Sequence, residues 1–476
     1  MKRRLGYTAL TGALAALPFL LGAPDLAQAQ TAPGSGSFPN SFLIPGTNTS
    51  LRVGGFVKMD AWYDFSVHGD TGNNGGTTGI NVGGIPLDNN VPGIVGQAAN
   101  LQQHSFHGRM AWSAAESRFN FESRTPTAWG EVKTFLESDF EQPSGVVNTG
   151  GLRGNSDSLA PRLRHAYGSF GPWLFGQTFP LFSDGIASPE TLDFAGPGAL
   201  AGPLRIPEAR YTFDAGNGLT LAAALDDESI VFINGASAAV GTSTSINPCP
   251  GGSVATCVTT VANQPNVPGY KLPALVLNGT WSQGWGHLSL RGVGRDLYYH
   301  GPSQVIAGGD ASIQRFGWGA GFSGDFHLPT GKADAILWQI NGGEGIGRYI
   351  NHEGTSGGDF VVDPGGTPHL IAQEDAVIGV IHYWTDQLRS NADGWYHHIH
   401  YPHGNGIFAV AGVPAEGVNS PFGQLNRELY GAHANLIWSP IGAIDLGAEY
   451  IFLERKVENG QRGVGHRMQF SSKFRF

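Results

Sequence analysis

Charged side chains recur at every second residue of several apolar segments, and they are the residues here best suited to chemistry. From 118 to 124, Phe119 and Phe121 alternate with Arg118, Glu122 and Arg124. In an extended strand this alternation places the rings on one face and the charges on the other. A row of guanidinium groups would concentrate anions and bind carboxylates through paired hydrogen bonds. We predict that the charged face of these strands binds solute. Its residues are Arg52, Lys58, Arg118, Glu122, Arg124, Lys133, Arg162, Arg164, Arg210, Arg291 and Arg295.

The same segments also carry acids, and these leave a structural alternative open. The arginines can pair with Glu122, Glu131, Glu137 and Asp139 and brace a wall without contacting any solute. Asp60 and Asp64 add negative charge to the same predicted face, which keeps a preference for cations, or no preference, among the alternatives.

The segment 181–206 brings together Asp184, Glu190, Asp193 and Arg205. Its prolines restrict the backbone, and its glycines allow close packing. If the segment folds into the interior, its acids would face the basic residues across an opening and set up a transverse field. If it stays outside, it is an ordinary surface loop, and the residues alone leave both alternatives open.

Other reactive groups form no catalytic pattern. His397, His398, His400 and His403 crowd together and could bind a transition metal, but such clusters are more often incidental exposed patches, so we predict no metal. The sequence has no nucleophile elbow, metalloprotease motif, phosphate loop or dinucleotide fingerprint. We therefore expect no enzyme activity and no cofactor.

Period-two alternation identifies the elements that must position the charged residues. At the end of the chain Met468, Phe470 and Phe474 alternate with Arg467 and Lys473, and a strand beginning near Leu51 repeats the pattern. With these terminal strands, roughly ten-residue segments bring the count to about sixteen. The segments between them lie near 117–125, 128–140, 162–170, 173–180, 207–214, 219–226, 270–282, 285–298, 314–327, 332–341, 374–386, 394–401, 427–438 and 444–455.

Short Gly- and Pro-containing connections alternate with long ones, for example 170–172 against 181–206. This rhythm is typical of a transmembrane barrel with short periplasmic turns and long external loops. Aromatic residues such as Trp62, Trp173 and Trp438 lie near strand ends, where membrane interfaces favour them. The predicted fold is all-β, a closed antiparallel transmembrane β-barrel of about sixteen strands.

Composition agrees with this fold class. The chain has 72 Gly, 11% aromatic and only 14% charged residues, as expected for many short strands and turns. The formal net charge of -10 argues against a nucleic-acid partner. Cys249 and Cys257 lie close in sequence, and in an exported protein we predict a small loop disulfide, with two free thiols as the alternative.

The ends of the chain predict its destination. Lys2 to Arg4, an apolar run and Ala27-Gln28-Ala29 have the order of a secretory signal covering 1–29. Residues 30–49 follow as a flexible lead-in, and 50–476 as the barrel. The terminal Phe476 is similar to the aromatic ending that the assembly machinery of bacterial outer-membrane barrels reads, which places the protein in the outer membrane, in contact with lipid and lipopolysaccharide.

Three stretches carry a resemblance to a known family. The run from Ile44 to Lys58, the run from Ser117 to Pro126, and Leu163 to Gly168 continuing into Phe175 to Thr178 resemble DcaP-like trimeric porins. The resemblance implies a sixteen-stranded homotrimer in which a long loop, here 181–206, folds inward as a constriction. Such porins often carry a helical segment before the barrel, whereas a short lead-in precedes Leu51 here.

The resemblance also implies passage of small, often anionic, organic molecules. Together with the basic inner face, it predicts passive diffusion of small hydrophilic solutes through a water-filled channel, with a preference for anions. A general or cation-preferring porin is the nearest alternative. An adhesin or enzyme on a barrel scaffold, and a soluble exported β-protein, are the alternatives from other classes.

Overall fold

A computed structural model describes most of the predicted barrel. The described residues are 35–65, 79–80, 82, 85, 108–141, 161–199, 204–228, 231–234, 260–262, 271–302, 310–350, 358–362, 367–403, 425–458 and 460–476. The predicted signal segment, Cys249 and Cys257 lie outside these residues, so cleavage and the disulfide stay predictions. In the part of the chain described, no helix combines the length and apolar character needed to cross a bilayer.

The described residues form strands joined by turns and irregular segments. The strands are β1 (Phe42–Leu43), β2 (Ser50–Asp64), β3 (Arg109–Ser113), β4 (Arg118–Thr127), β5 (Gly130–Asp139), β6 (Arg162–Phe170), β7 (Trp173–Thr178), β8 (Ile206–Gly216), β9 (Leu219–Asp226), β10 (Val231–Asn234), β11 (Thr260–Ala262), β12 (Ala274–Gln283), β13 (Gly286–Pro302), β14 (Asp310–His327), β15 (Ala335–Glu344), β16 (Phe360–Val362), β17 (Pro368–Leu370), β18 (Ala372–Tyr383), β19 (Leu388–His400), β20 (Asn426–Ile441), β21 (Ile444–Val457) and β22 (Arg462–Arg475).

Sixteen of these strands close into a barrel, which confirms the predicted fold class. Each pairs antiparallel with its neighbour from β4 through β9, β12 through β15, and β18 through β22. β2 closes the ring, because one part of it pairs with β4 and another with β22. The short β3 continues the line of β4 along β2 after a break at 114–117. The short strands β10, β11, β16 and β17 make a separate sheet.

Strand positions agree with the predicted segments, while several boundaries differ. β19 begins at Leu388 rather than near 394, because its first residues are mostly polar and lack apolar alternation. β13 and β14 extend several residues beyond the predicted 285–298 and 314–327. The six short strands outside the ring of sixteen were not predicted, since runs of two to five residues carry too little periodicity.

Tight turns join the strands at one end of the barrel. Between β8 and β9, Asn217 and Gly218 both have positive φ, at 53° and 77°, the combination that a two-residue hairpin turn requires. Phe476 lies at this end, where its backbone N–H donates to the carbonyl oxygen of Gly55 at 3.2 Å. The long connections leave from the other end.

The barrel is apolar outside and polar inside, the reverse of a soluble protein. Leu290, Phe316 and Ile378 face outward with 66%, 67% and 61% of their surface exposed. Such a band of large apolar side chains is stable in contact with hydrocarbon. Trp62 was wrongly predicted at the outer interface: it faces inward, 8% exposed, beneath the guanidinium of Arg467.

Connections also enter the barrel from the long-loop end. Leu181 and Phe182 pack with Ile346, Tyr349 and Ile350 against the inner side of the wall formed by β8, β9, β12 and β13. A second buried cluster contains Ile80, Val82, Ile85 and Ala199, packed on inward residues of β18 to β21. The interior is therefore partly filled by at least three segments, where the sequence predicted one.

Arginine placed on the outer band should destabilise the barrel according to its depth. We expect Leu290→Arg to lower the free energy of unfolding by roughly 2 to 4 kcal/mol, because it puts a charge in hydrocarbon. Gly284→Arg, in the turn before β13, should cost about 0 to 1 kcal/mol. Urea titration in lipid vesicles measures both, and equal losses would contradict the assigned membrane position.

Candidate pore

The segment between β7 and β8 crosses the barrel interior. Its residues 181–199 contact inward side chains of β2, β13, β14, β15, β19, β20, β21 and β22. Close packing against glycines accompanies these bonds. A Cβ atom on Gly379 would lie 2.7 Å from Cγ of Pro189, and one on Gly447 would lie 2.8 Å from Cδ1 of Leu192. We call 179–205 the inner loop.

Asp184 attaches the beginning of the inner loop to the wall. Its Oδ2 lies 2.8 Å from Nε2 of His287 and accepts a hydrogen bond from the Ser323 hydroxyl. Gln339 donates to the backbone oxygens of Asp184 and Ala187 at 2.9 and 3.1 Å. Burial opposes ionisation of this carboxyl, but the hydrogen bonds from His287 and Ser323 outweigh it and hold the pKa of Asp184 at about 2. The anchor is therefore ionised at every pH above about 4.

Glu190 forms a second anchor. Its carboxylate accepts two hydrogen bonds from Arg389 of β19, both at 2.7 Å. This is the two-point geometry in which guanidinium and carboxylate groups bind most strongly. Asp184 and Glu190 are thus paired with the wall from β13 to β19. The transverse field predicted between the acids of this loop and the basic wall stays a prediction.

Glu449 of β21 forms the third anchor by binding loop backbone. It accepts hydrogen bonds from the N–H groups of Leu192 and Asp193, both at 2.8 Å. Lys58 and Gln469 each donate to the carbonyl oxygen of Leu192 at 2.8 Å. Buried backbone groups must find partners, and here the barrel wall provides them.

Glu122 forms ion pairs with several basic residues near the end of the barrel where the short turns lie. Arg52 and Arg124 contact it at 2.5 and 2.7 Å, and Lys133 lies 3.6 Å away. Arg124 also lies 3.5 Å from Glu131. The four predicted inner-face residues therefore come together, in a cluster where three basic side chains share Glu122 and one of them also contacts Glu131.

A second basic cluster lies beside the inner loop. Arg162 pairs with Asp139 at 2.7 Å, and Arg164 bridges Asp139 and Glu137 at 2.7 and 2.8 Å. Both guanidinium groups lie over the Phe194 ring of the inner loop, 5.3 and 6.0 Å from its centroid. Arg162 and Arg164 are thus paired with acids of the wall, which is the structural alternative that the sequence left open for them.

Arg118 and Arg205 differ from their neighbours. The nearest described carboxylate to Arg118 is Glu116, at 4.0 Å, and Arg205 has no ion pair among the described residues, contacting the Phe179 ring at 4.9 Å instead. Nε of each is buried without a hydrogen-bond partner in the described part of the chain. Both lie close enough to Arg164 to be repelled by it. Within the group Arg118, Arg162, Arg164 and Arg205, these two have the weakest ion-pair contacts among the described residues.

The remaining predicted arginines have structural contacts. Arg210 pairs with Glu208 and donates to the Phe179 carbonyl oxygen. Arg291 donates to the Phe182 carbonyl oxygen at 2.6 Å, and is 2% exposed. Arg295, 1% exposed, pairs with Glu228 and Asp359. Arg291 and Arg295 point inward as alternation predicts, but they are buried beneath inserted segments, and we leave both out of the solute path.

Sequence reasoning missed the residues that hold the inner loop, namely His287, Arg389, Glu449 and Gln469. His287, Glu449 and Gln469 occupy inward positions of polar-apolar alternating strands, whereas Arg389 lies in the polar start of β19. Alternation could therefore have placed the first three in the interior, but not next to the loop. The four predicted loop residues Asp184, Glu190, Asp193 and Arg205 are all described, and they lie at separate points of the interior.

Comparisons with known proteins agree with this architecture. The family model described as "Porin subfamily" matches residues 39–269. Among solved structures, the chain is similar to the outer membrane channel DcaP of Acinetobacter baumannii, with a TM-score of 0.62 and 20% identity over 93% of this chain and 100% of that chain. No curated protein matches the sequence.

Two other solved structures are more distant. OmpT of Vibrio cholerae has a TM-score of 0.47 and 7% identity, covering 91% of this chain and 99% of that chain. The anion-selective porin from Comamonas acidovorans has a TM-score of 0.46 and 9% identity, covering 90% and 100%. The resemblance to DcaP-like porins predicted from the sequence is confirmed, and the family match and barrel fold support an outer-membrane porin channel.

Neutralising the three anchors should release the inner loop. We expect Ala187→Cys, buried in the native barrel, to react slowly with a maleimide. The rate should rise about tenfold or more when Asp184→Asn, Glu190→Gln and Glu449→Gln are combined, since each anchor contributes about 1.5 to 3 kcal/mol.

The matched control removes three exposed acids by Glu131→Gln, Asp214→Asn and Asp386→Asn. It should leave the labelling rate unchanged, with the protein lacking Ala187→Cys giving the background. Equal rates in the anchor and control variants would contradict the assigned anchors.

Proposed function

We propose, on the premise that this chain is a DcaP-like porin, that it passes small hydrophilic solutes by diffusion and prefers anionic organic ones. The observation that carries the preference is the pair Arg118 and Arg205: the nearest described carboxylate to Arg118 is Glu116, at 4.0 Å, and Arg205 has no ion pair among the described residues. An anion passing between the inner loop and the wall of β4 and β6 would supply the missing partner.

Local charge supports this path. Around it, Arg118, Arg162, Arg164 and Arg205 lie near three carboxylates, Glu116, Glu137 and Asp139. With Lys58, which also binds Glu116, and its second partner Asp60 included, five positive groups against four negative ones leave a positive excess, and low-dielectric walls strengthen its field. Because Asp139 and Glu137 already occupy Arg162 and Arg164, the excess acts mainly through Arg118 and Arg205.

A general or cation-preferring porin is the second candidate, and a specific observation favours it. Most of the predicted basic ladder is paired with wall acids, as Arg52, Arg124 and Lys133 are with Glu122. If nearby acids also neutralise Arg118 and Arg205 in the working channel, little preference between anions and cations remains. We propose no enzyme activity for the chain, because the porin family match and the barrel fold support a channel.

Removing the two uncompensated charges should reduce anion preference. We expect Arg118→Gln with Arg205→Gln to lower the anion-to-cation permeability ratio about twofold or more, because the local positive field weakens. Reversal potential in a planar bilayer under a KCl gradient measures the ratio.

The control removes two exposed basic groups away from Arg118 and Arg205, Lys271→Gln and Lys332→Gln in a short turn, and should preserve the native reversal potential. A native protein that is cation-selective, or a double variant indistinguishable from it, would favour the general porin.

We also propose that the chain works as a homotrimer in the outer membrane, after removal of its signal segment. The proposal rests on the resemblance to DcaP-like trimeric porins. Light scattering in mild detergent should give about three times the mass of one chain after subtraction of the detergent. A monomer at all concentrations would contradict it.

A further inference from the structure

Three metal-binding side chains meet on the outer surface of β18 and β19, in a place that the pore does not use. Donor atoms of Glu374, His398 and His400 all lie within 4.8 Å of one another. On these strands Asp375 and His397 are buried inside. The alternation therefore turns Glu374, His398 and His400 outward.

Strand register explains why the three groups converge. Glu374 lies directly across from His398, and His400 follows two residues later on the same face. Side chains opposite each other, and their diagonal neighbours, are within contact range on one face of a sheet. The site is thus built on two adjacent strands of the barrel wall, which fixes the backbone of all three residues.

The spacing fits a transition-metal ion. Oε1 of Glu374 lies 3.5 Å from Nδ1 of His398 and 3.2 Å from Nε2 of His400. Ligands about 2.0 to 2.2 Å from a tetrahedral zinc ion are about 3.3 to 3.6 Å apart. Two imidazoles and one carboxylate are ligands that Zn²⁺ and Cu²⁺ prefer over Ca²⁺ or Mg²⁺.

Charge balance also favours a bound cation. Glu428, on the next strand, pairs with Arg427 and Lys456, both at 3.0 Å. Glu374, in contrast, contacts only the two imidazoles among its described ion-pair partners, and neither carries the permanent charge of an arginine or a lysine. The carboxylate therefore lacks a permanent positive partner, which a divalent ion would provide.

The position leaves the site open to water. Tyr396 and Tyr430 face outward opposite each other, and tyrosines at this position are typical of the headgroup boundary. His398 and His400 lie beyond Tyr396 toward the long connection. The side chains of Glu374 and His400 are 59% and 47% exposed, so an ion can enter and a further ligand can complete its coordination.

We propose that Glu374, His398 and His400 form a transition-metal site, of the Zn²⁺ and Cu²⁺ class, on the outer rim of the barrel. A bound ion joins the ends of β18 and β19 just before the long connection that follows Tyr401. The site is independent of the proposed solute path, and the result of its test does not depend on channel activity.

The test uses untagged, chelator-treated full-length protein in mild detergent and Zn²⁺ alone as the probe. Calorimetric titration should show one saturable site, with affinity falling about tenfold or more in each of His398→Ala, His400→Ala and Glu374→Gln. His466→Ala is the matched control, an outward histidine of β22 bonded to Tyr450, and should bind as the native protein does. Heat-modifiable mobility on gels checks that each barrel is folded.

Cu²⁺ provides a second readout that identifies the ligands directly. The electron paramagnetic resonance spectrum of the 1:1 complex should show two coupled imidazole nitrogens, and one in either histidine variant. Absence of saturable Zn²⁺ binding below millimolar concentration would overturn the proposal. Native affinity in all three ligand variants would also overturn it, by assigning the ion to other histidines.

Discussion

Every backbone N–H and C=O group inside a bilayer must find a partner within the protein, because hydrocarbon offers none. The pairing of β2 with both β4 and β22 meets this requirement by removing the sheet's free edges. Closure then fixes the rest: alternate side chains face lipid and are apolar, and the others face inward and are polar. Leu290 and Arg291, adjacent on β13, show the two environments side by side, 66% and 2% exposed.

A polar interior changes how connections fold. The inner loop brings its own backbone groups and acids into the barrel, and the wall must satisfy them. Glu449 binds two loop N–H groups, Arg389 binds Glu190, and His287 binds Asp184. With these acids held by the wall from β13 to β21, none of them neutralises Arg118 or Arg205. The attachment of the loop is thus the physical origin of the proposed anion path.

The sequence predicted those features that depend on local period and turn chemistry. The alternation around Phe119 and Phe121 placed Arg118 on the inner face, and short turns against long connections predicted the barrel. Contacts between distant residues were not predictable: Leu192 and Glu449 lie 257 positions apart, and no local pattern specifies their meeting. Local alternation also failed to predict where β19 begins, because its first residues are polar. At Trp62 the aromatic ring alone did not show whether the side chain faces inward or outward.

The central claim is that solutes pass alongside the contact that Phe194 of the inner loop makes with Arg162 and Arg164 of the wall. Modification of a Phe194→Cys variant with a charged methanethiosulfonate reagent in a planar bilayer tests this most directly. We predict a stepwise loss of single-channel conductance on modification, whereas Gly284→Cys in a short turn should conduct as before. Full conductance through a completely modified Phe194→Cys channel would contradict the account, since the solute path would then lie elsewhere.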